Sequence, residues 1–250
     1  MKKFGLIPAR FASSRLHGKA LRNIHGLPMV VHVAKRAMLS NLLDEVIVCT
    51  DHDEIARVCV KHRIKVCITP NSCLNGTERI FEAAKLLDIH NDDIIIDIQG
   101  DEPLVNPVSI DKVIEETIKN LDSFDIVLPH LVSCPRDNKN IVKVISSGQK
   151  VIYLTRSDGP FPFTKETDLK KHLSIIGFSF NSLLKFASLE IGELESIEGV
   201  ELLRAIEGGM KILTFPVRAD SFSVDTYEDL EKAERALSQC EIFKKHYLND

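Results

Sequence analysis

The sequence predicts an α/β protein built on a doubly wound, mostly parallel sheet, and three observations support this prediction. Short apolar runs alternate with segments of helical periodicity through the first half of the chain. The links between them are short, which favours parallel strands with helices on both faces. The most apolar run, residues 92–98, ends at an acidic turn, and ligands of open α/β sheets bind at such strand ends.

The first half of the chain supplies the parallel strands. Residues 3–8, 44–50 and 64–69 are apolar runs of strand length. Residues 29–39 and 53–62 repeat apolar side chains at helical spacing, the second behind an acidic start that favours a helix. The next predicted helix, residues 78–87, has Thr77 as its candidate N-cap and precedes the central strand at residues 92–98.

The second half is predicted to be less regular. Residues 110–119 form a helix and residues 125–132 a strand, placed at the sheet edge because Pro129 has no N–H to donate. Residues 141–145 and 151–155 flank a Ser-Gly-Gln turn typical of a hairpin. Further strands are predicted at residues 172–180 and 211–217, and further helices at residues 182–189, 198–207 and 227–237. The polar residues 156–171 are expected to form a mobile excursion, and the last ten residues a frayed tail.

Composition narrows the possible functions. With 250 residues, 44% hydrophobic and 27% charged, the chain is typical of a soluble globular domain, taken here as one domain over residues 1–250. The net charge of -4 argues against a general nucleic-acid binder. The six cysteines show no C-x-x-C spacing, so we expect reduced thiols in a cytoplasmic protein. The N-terminus does not resemble a signal peptide, and no apolar run approaches the length that spans a bilayer.

A cationic loop follows the first predicted strand, within residues 6–21. Its cations and hydroxyl residues are Arg10, Ser13, Ser14, Arg15 and Lys19. Backbone N–H groups and cations on such a loop suit a triphosphate, although neither a P-loop nor a G-x-G-x-x-G pattern is present. A solvated basic surface loop remains an equal alternative on composition alone.

Two acidic residues are the candidate metal ligands. Asp101 follows the central strand beside a glycine, and Asp225 lies near the C-terminus. Together they could share a magnesium ion that bridges phosphate oxygens. A turn acid without a ligand, or a helix cap at Asp225, are the alternatives. Because no nucleophile elbow or triad is found, direct attack by a bound substrate on the nucleotide is the simpler scheme.

Ten segments in order give the chain a close resemblance to a known family. They read IPARFASSRLHGKAL, PMVVHVAKRA, CTDHDEI, NGTERI, IQGDEPLV, IVKVI, YLTRS, HLSIIGF, ELLRAIEGG and SVDTYEDLEKA. The sequence resembles the 3-deoxy-manno-octulosonate (Kdo) cytidylyltransferases, also called CMP-Kdo synthetases. The resemblance implies a nucleotide-diphospho-sugar transferase fold, usually homodimeric. It also implies coupling of the 2-hydroxyl of an ulosonic acid to CMP, with CTP and Mg²⁺ used in the cytoplasm for lipopolysaccharide or other surface glycans.

The resemblance also implies residue roles. Arg10, Lys19, Asp101 and Asp225 match catalytic positions, the two acids as metal ligands. Nucleotide binding is implied for Arg10, Ser13, Ser14, Arg15, Lys19, Thr77, Arg79 and Gln99. Sugar binding is implied for Arg156, His172, Glu201 and Arg204, within a sugar-binding and dimerisation subregion at about residues 150–215. Arg156 is the expected partner of the sugar carboxylate, because a guanidinium can pair with it bidentately.

Departures from the family pattern cluster on the sugar side. Ile176 stands where the family usually has tyrosine, and Leu202 where it usually has glutamine. His17 and Asn75 replace a usual proline and serine on the nucleotide side. Aliphatic groups in place of hydrogen-bonding ones should change substrate preference. We therefore expect Kdo or a near relative, such as its 8-amino analogue or a nonulosonic acid such as sialic acid. A non-catalytic binding homologue is the rival, and a dinucleotide-dependent oxidoreductase lacks its glycine fingerprint.

Overall fold

The computed structural model describes residues 1–12, 16–218 and 221–247, which form strands and helices in alternation. The strands are β1 (Lys3–Ala9), β2 (Asn23–Ile24), β3 (Leu27–Pro28), β4 (Glu45–Thr50), β5 (Lys65–Ile68), β6 (Ile94–Ile98), β7 (Ile126–Leu131), β8 (Lys143–Ser147), β9 (Lys150–Thr155), β10 (Lys171–His172), β11 (Ile175–Ser179) and β12 (Ile212–Val217). The helices are α1 (Met29–Ala37), α2 (Asp53–Lys61), α3 (Gly76–Leu86), α4 (Pro107–Lys119), α5 (Phe180–Ala187), α6 (Glu193–Glu198), α7 (Leu202–Glu207), α8 (Tyr227–Gln239) and α9 (Glu241–Tyr247), with a short 3-10 turn at Lys19–Leu21.

One large sheet runs through the described part of the chain. Its ten strands have the order β10–β8–β9–β12–β7–β11–β6–β1–β4–β5 over the described residues, and β2 and β3 pair separately. Strands β6, β1, β4 and β5 are parallel neighbours, as the short strand–helix links predict. Strand β11 lies antiparallel between β6 and β7, and β12 returns parallel to β7. The predicted α/β fold is confirmed, with a sheet that is parallel in its first half and mixed in its second.

Helices cover both faces of the sheet. Helices α1, α2 and α4 contribute to one hydrophobic core, and α3, α5 and α7 to another. Neighbouring residues of the central strands divide between the two cores, Leu6 and Ile95 in one, Ile7 and Ile96 in the other. This division follows from the alternation of side chains along a strand. It explains why these strands are almost entirely apolar, since both of their faces are buried.

The edge position predicted for the strand with Pro129 is wrong. Strand β7 lies inside the sheet, between β12 and β11. The Leu173 N–H donates to the Pro129 carbonyl. The N–H and C=O of one strand residue point to the same side of the strand. The side on which Pro129 lacks an N–H is therefore the side that faces Leu173. On that side β11 pairs only with Ile126 and Val127, and β10 begins pairing at His130. The proline occupies the gap between two short strands.

The predicted helix at residues 198–207 is divided into α6 and α7. Gly199 has φ +62° and ends α6 in the left-handed conformation that glycine tolerates best. Glu201 then serves as the N-cap position of α7. Residues 156–170 contain no strand or helix, as predicted for this stretch. None of the helices within the described ranges combines the length and apolar character needed to cross a membrane.

The C-terminal tail predicted to fray is instead helical as far as residue 247. Helix α9 buries Phe243, which is 5% exposed, in a third core with Met29 and Leu237. The helical periodicity of α8 did not predict α9, because Cys240, which separates the two helices, has an extended backbone. Helix α9 therefore packs against α1, close to the elements that carry the cationic loop.

Candidate active site

A cavity of about 360 Å³ opens where β1 and β6 end. Of the predicted residues, Arg10, Lys19, Asp101 and Asp225 line it. Arg79, Gln99 and Glu201 contribute further lining. The carboxyl ends of parallel strands meet at this edge of the sheet, which is the location predicted for a ligand. Ser13, Ser14 and Arg15 lie outside the described residues, so their roles stay predictions.

Lys19 joins the two acidic residues. Its Nζ donates to Asp101 Oδ2 at 2.6 Å and to Asp225 Oδ1 at 2.9 Å. The three side chains are only 17%, 26% and 22% exposed, so water screens these contacts weakly. Burial alone would lower the pKa of Lys19, but the two carboxylates outweigh it and raise that pKa above 10.5. The ammonium is therefore charged and holds together acids that are far apart in sequence.

The backbone brings these acids together. Gly100 fits tightly against β1, because a Cβ there would lie 2.7 Å from the Pro8 carbonyl oxygen. The Val224 N–H donates to the Asp101 carbonyl at 2.9 Å, which places Asp225 beside the turn after β6. Thr226, not Asp225, caps α8, and its hydroxyl accepts from the Asp229 N–H. The capping alternative for Asp225 is therefore wrong, and its carboxylate is directed to the cavity.

The donor set at this point suits Mg²⁺. Two carboxylates already converge on one cation, the Lys19 ammonium. Mg²⁺ in phosphate-transfer sites commonly uses one or two carboxylates and completes its octahedron with water and substrate phosphates. No group of three or more His, Cys, Asp or Glu side chains forms a ready-made metal cage within the described ranges. The pair Asp101 and Asp225 therefore fits a metal whose remaining ligands are water and, when substrate is bound, phosphate oxygens.

The side-chain amide of Gln99 is held by the carboxyl group of Asp97, which the sequence analysis did not identify as a site residue. Its Nε2 donates to both oxygens of Asp97, at 2.9 and 3.0 Å. Asp97 is fully buried in β6, and burial, reinforced by Glu201, raises its pKa well above the usual range. An acid inside the apolar run DDIIIDI was the available signal. Because Nε2 is engaged, the amide oxygen of Gln99 is left as an acceptor for a ligand.

Thr77 supports Glu201 and does not cap α3. Asn75 is the cap, since its side chain accepts from the Glu78 N–H at 2.8 Å. Thr77 is 2% exposed, and its Oγ1 donates to Glu201 Oε2 at 2.7 Å. Burial raises the pKa of Glu201, although the bonds from Thr77 oppose the shift. The predicted N-cap was wrong because an Asx cap two residues earlier satisfies the helix start.

Arg79 lines the cavity, but its guanidinium is hydrogen-bonded to two residues that do not line it. It is 3% exposed and donates to Asp51 Oδ2 and to Thr69 Oγ1, both at 2.7 Å. These bonds join α3 to the loops after β4 and β5. The predicted place beside the nucleotide agrees with the lining, but the charge of Arg79 is already paired with Asp51.

Three of the four predicted sugar-binding residues do not line this cavity. Arg204 makes a buried bidentate pair with Glu195, at 2.6 Å for each bond. Arg156 donates to the carbonyls of Lys139, Glu198 and Gly199, and so holds the end of α6. His172 lies in β10, and burial lowers its pKa to about 4. Their role in sugar binding stays a prediction, whereas Glu201 lies on the cavity wall.

The residues that depart from the family pattern fall into two groups. Ile176 and Leu202 are 6% and 3% exposed and belong to the core shared by α3, α5 and α7. Their aliphatic side chains therefore fill space beneath the sugar-side segments. Asn75 provides the helix cap that a serine could also provide, and it also lines the cavity.

Comparisons with known proteins identify the family and the fold. The chain matches the sequence profile of a family described as Cytidylyltransferase over residues 4–212. A 3-deoxy-manno-octulosonate cytidylyltransferase of a Nitratiruptor species is 37% identical over 232 residues, which cover 91% of this chain and 96% of the relative. An 8-amino-3,8-dideoxy-manno-octulosonate cytidylyltransferase of Shewanella frigidimarina is 36% identical over 243 residues, 95% of this chain and 99% of the relative. A solved CMP:2-keto-3-deoxy-manno-octonic acid synthetase complexed with CTP superimposes with a TM-score of 0.87 at 30% identity, over 96% of this chain and 99% of that chain.

Proposed function

Because the chain belongs to the cytidylyltransferase family, we propose that it couples the 2-hydroxyl of Kdo, or of a closely related ulosonic acid, to CMP from CTP. Pyrophosphate is the second product. The observation that carries the proposal is the convergence of Lys19, Asp101 and Asp225 at the ligand edge of the sheet. Nucleotidyl transfer needs positive charge and metal-binding carboxylates at one point, and this cavity provides both.

The residues that line the cavity have different roles in the proposed reaction. Arg10 and Lys19 attract the triphosphate through charge-assisted hydrogen bonds. Asp101 and Asp225 would hold Mg²⁺, which when bound neutralises phosphate charge as the leaving group departs. Gln99 offers its amide oxygen to a donor group on the ligand, because Asp97 holds its nitrogen. Lys19, the two carboxylates and Gln99 are held by hydrogen bonds before substrate binds, which lowers the entropic cost of their alignment.

The attacking group belongs to the substrate. Within the described residues, the cavity lining contains no serine, threonine, cysteine or histidine that could form a covalent intermediate. The 2-hydroxyl oxygen of the sugar therefore bonds directly to the α-phosphorus, its proton passes to water, and the bond from the α-phosphorus to the departing pyrophosphate breaks. Negative charge that accumulates on pyrophosphate is stabilised by the cations on the β1 side of the cavity.

The choice between Kdo and its 8-amino analogue is decided by assay. Pyrophosphate release is measured with CTP held constant and with Kdo, 8-amino-Kdo and sialic acid as separate acceptors. We expect turnover with one of the two octulosonates and little with sialic acid. Asp101→Asn is the matched control for catalysis. Kdo far ahead of the others would remove the altered-specificity hypothesis, and no pyrophosphate with any acceptor would favour a non-catalytic homologue.

Other features of the family extend the proposal. We propose a cytoplasmic homodimer whose contacts come from the region of about residues 150–215, and a role in lipopolysaccharide or other surface-glycan synthesis. The exposed aromatic side chains of Phe161 and Phe163 in that region support a protein contact. Analytical ultracentrifugation of the wild type and of Phe163→Ser tests it. A wild-type protein that sediments as a monomer at micromolar concentration would contradict the dimer.

A further inference from the structure

Glu102 is a buried carboxylate next to Asp101 for which the proposed reaction has no role. It is 2% exposed. Its Oε2 accepts from Ser221 Oγ at 2.5 Å, and its Oε1 lies 3.4 Å from Ser223 Oγ. A carboxylate is costly to bury, so the hydroxyl bonds that it receives must offset its lost hydration.

The two serines belong to the segment that carries Asp225. Ser221, Ser223 and Asp225 recur at every second position, and alternate side chains of an extended chain share a face. Val224, between them, is fully buried in the third core. A shared face thus presents two hydroxyls to Glu102 and one carboxylate to Lys19.

The same junction is reinforced on both sides. The Val224 N–H donates to the Asp101 carbonyl at 2.9 Å, next to Glu102 in sequence. Lys171 Nζ donates to the Ser221 carbonyl at 2.9 Å, and its charge lies close enough to interact with Glu102. The turn after β6 and the segment before α8 are therefore fastened to each other just behind the two candidate metal ligands.

We propose that Glu102 is a positioning residue that sets the separation of the Asp101 and Asp225 carboxylates. The inference rests on the proposed function, because it concerns how well these carboxylates hold a divalent ion. Without the bonds to Ser221 and Ser223, the segment before α8 is held by fewer contacts, and the position of Asp225 becomes less defined. Outer hydrogen-bond partners of metal ligands typically change metal affinity by about 10- to 100-fold.

The test measures binding of Mn²⁺, as a probe for Mg²⁺, by electron paramagnetic resonance in the absence of substrates. We expect Glu102→Ala to weaken Mn²⁺ binding by about tenfold or more. Glu102→Gln, which keeps an acceptor oxygen at the same distance, should recover most of that loss. The matched control is Asp93→Ala, which removes a buried carboxylate at the other end of β6 that accepts from backbone N–H groups. It should lower the melting temperature and leave Mn²⁺ affinity unchanged.

A double-mutant cycle separates positioning from general stability. In an Asp225→Asn background, Glu102→Ala should cause little further loss of Mn²⁺ affinity, because its effect passes through Asp225. Equal losses in both backgrounds, or wild-type affinity in Glu102→Ala, would overturn the inference alone. Should Glu102→Ala fail to fold, Ser221→Ala removes the donor and carries the same expectation. A wild-type protein that binds no Mn²⁺ would overturn the metal assignment and this inference with it.

Discussion

Replacing Lys19 with methionine should change metal binding and nucleotide binding in opposite directions. The Lys19 ammonium contacts both candidate metal ligands, at 2.6 and 2.9 Å. A divalent ion must displace it to reach Asp101 and Asp225. In the proposed complex with CTP, however, the same ammonium would pair with the phosphates. Lys19→Met should therefore strengthen Mn²⁺ binding to the free protein and weaken CTP binding.

The magnitude follows from the contacts that are lost. A hydrogen bond to a charged group contributes about 1.5–3 kcal/mol net. The pair is partly buried, so screening reduces this little. Displacement of one such bond corresponds to about 10- to 100-fold in affinity, since each 1.4 kcal/mol is about tenfold. We expect a gain of about that size for Mn²⁺ and a loss of similar size for CTP.

Two titrations test the predicted opposite changes in Mn²⁺ and CTP affinity. Mn²⁺ binding without nucleotide is followed by electron paramagnetic resonance, and CTP binding by calorimetry. Lys19→Arg, which keeps the charge, should stay near the wild type in both. Lys85→Met removes an exposed ammonium paired with Glu82 and controls for net charge. Weaker or unchanged Mn²⁺ binding in Lys19→Met would refute the competition between ammonium and metal.

Three further predictions follow from the structure. Asp101→Asn should lower kcat for pyrophosphate release by at least about 100-fold with a nearly unchanged melting temperature, because it removes a candidate metal ligand that is partly exposed. Arg204→Met should cost about 3–5 kcal/mol in urea unfolding, because Glu195 is left buried without its partner, and wild-type stability would contradict a structural pair. Burial lowers the pKa of His32 and of His130 from 6.5 to about 4, so the unfolded chain takes up protons first. The contribution of these two histidines to stability should be constant above about pH 6.5 and fall by about 3 kcal/mol for each down to pH 4, and His130→Gln should remove its share of that fall in acid unfolding curves compared with the wild type.

The nucleotide side of the site was predictable because it depends on strand ends. Arg10, Lys19 and Asp101 follow apolar strands that the sequence identifies, and parallel strands bring their carboxyl ends to one edge. Asp225 required more, since no local pattern links it to that edge. The sequence analysis paired it with Asp101 as a possible ligand of the same ion, the family resemblance supported that pairing, and the contact through Val224 shows the physical reason.

The partners of the predicted sugar-binding arginines were harder to predict, because tertiary packing determines which acceptor each guanidinium meets. A sequence shows that Arg156 and Arg204 can bind a carboxylate, but not whether the protein itself provides the acceptor. In the fold, Glu195 takes the guanidinium of Arg204, and backbone carbonyls take that of Arg156. Both acceptors lie on or beside α6. Acceptors within the protein thus pair with both guanidinium groups, which the family resemblance had assigned to sugar binding.

One backbone angle links these observations. The periodicity of residues 198–207 suits a continuous helix, yet Gly199 at φ +62° ends α6 and lets the chain turn before α7. That turn places Glu201 on the cavity wall beside Thr77, and it leaves the Glu198 and Gly199 carbonyls free to accept from Arg156. A rearrangement that releases Arg156 toward a sugar carboxylate would therefore have to break its bonds to the end of α6, at the same place where Glu201 enters the site. If Arg156 binds the sugar carboxylate as predicted, its release therefore depends on the packing of α6 and α7, where Leu202 departs from the family pattern.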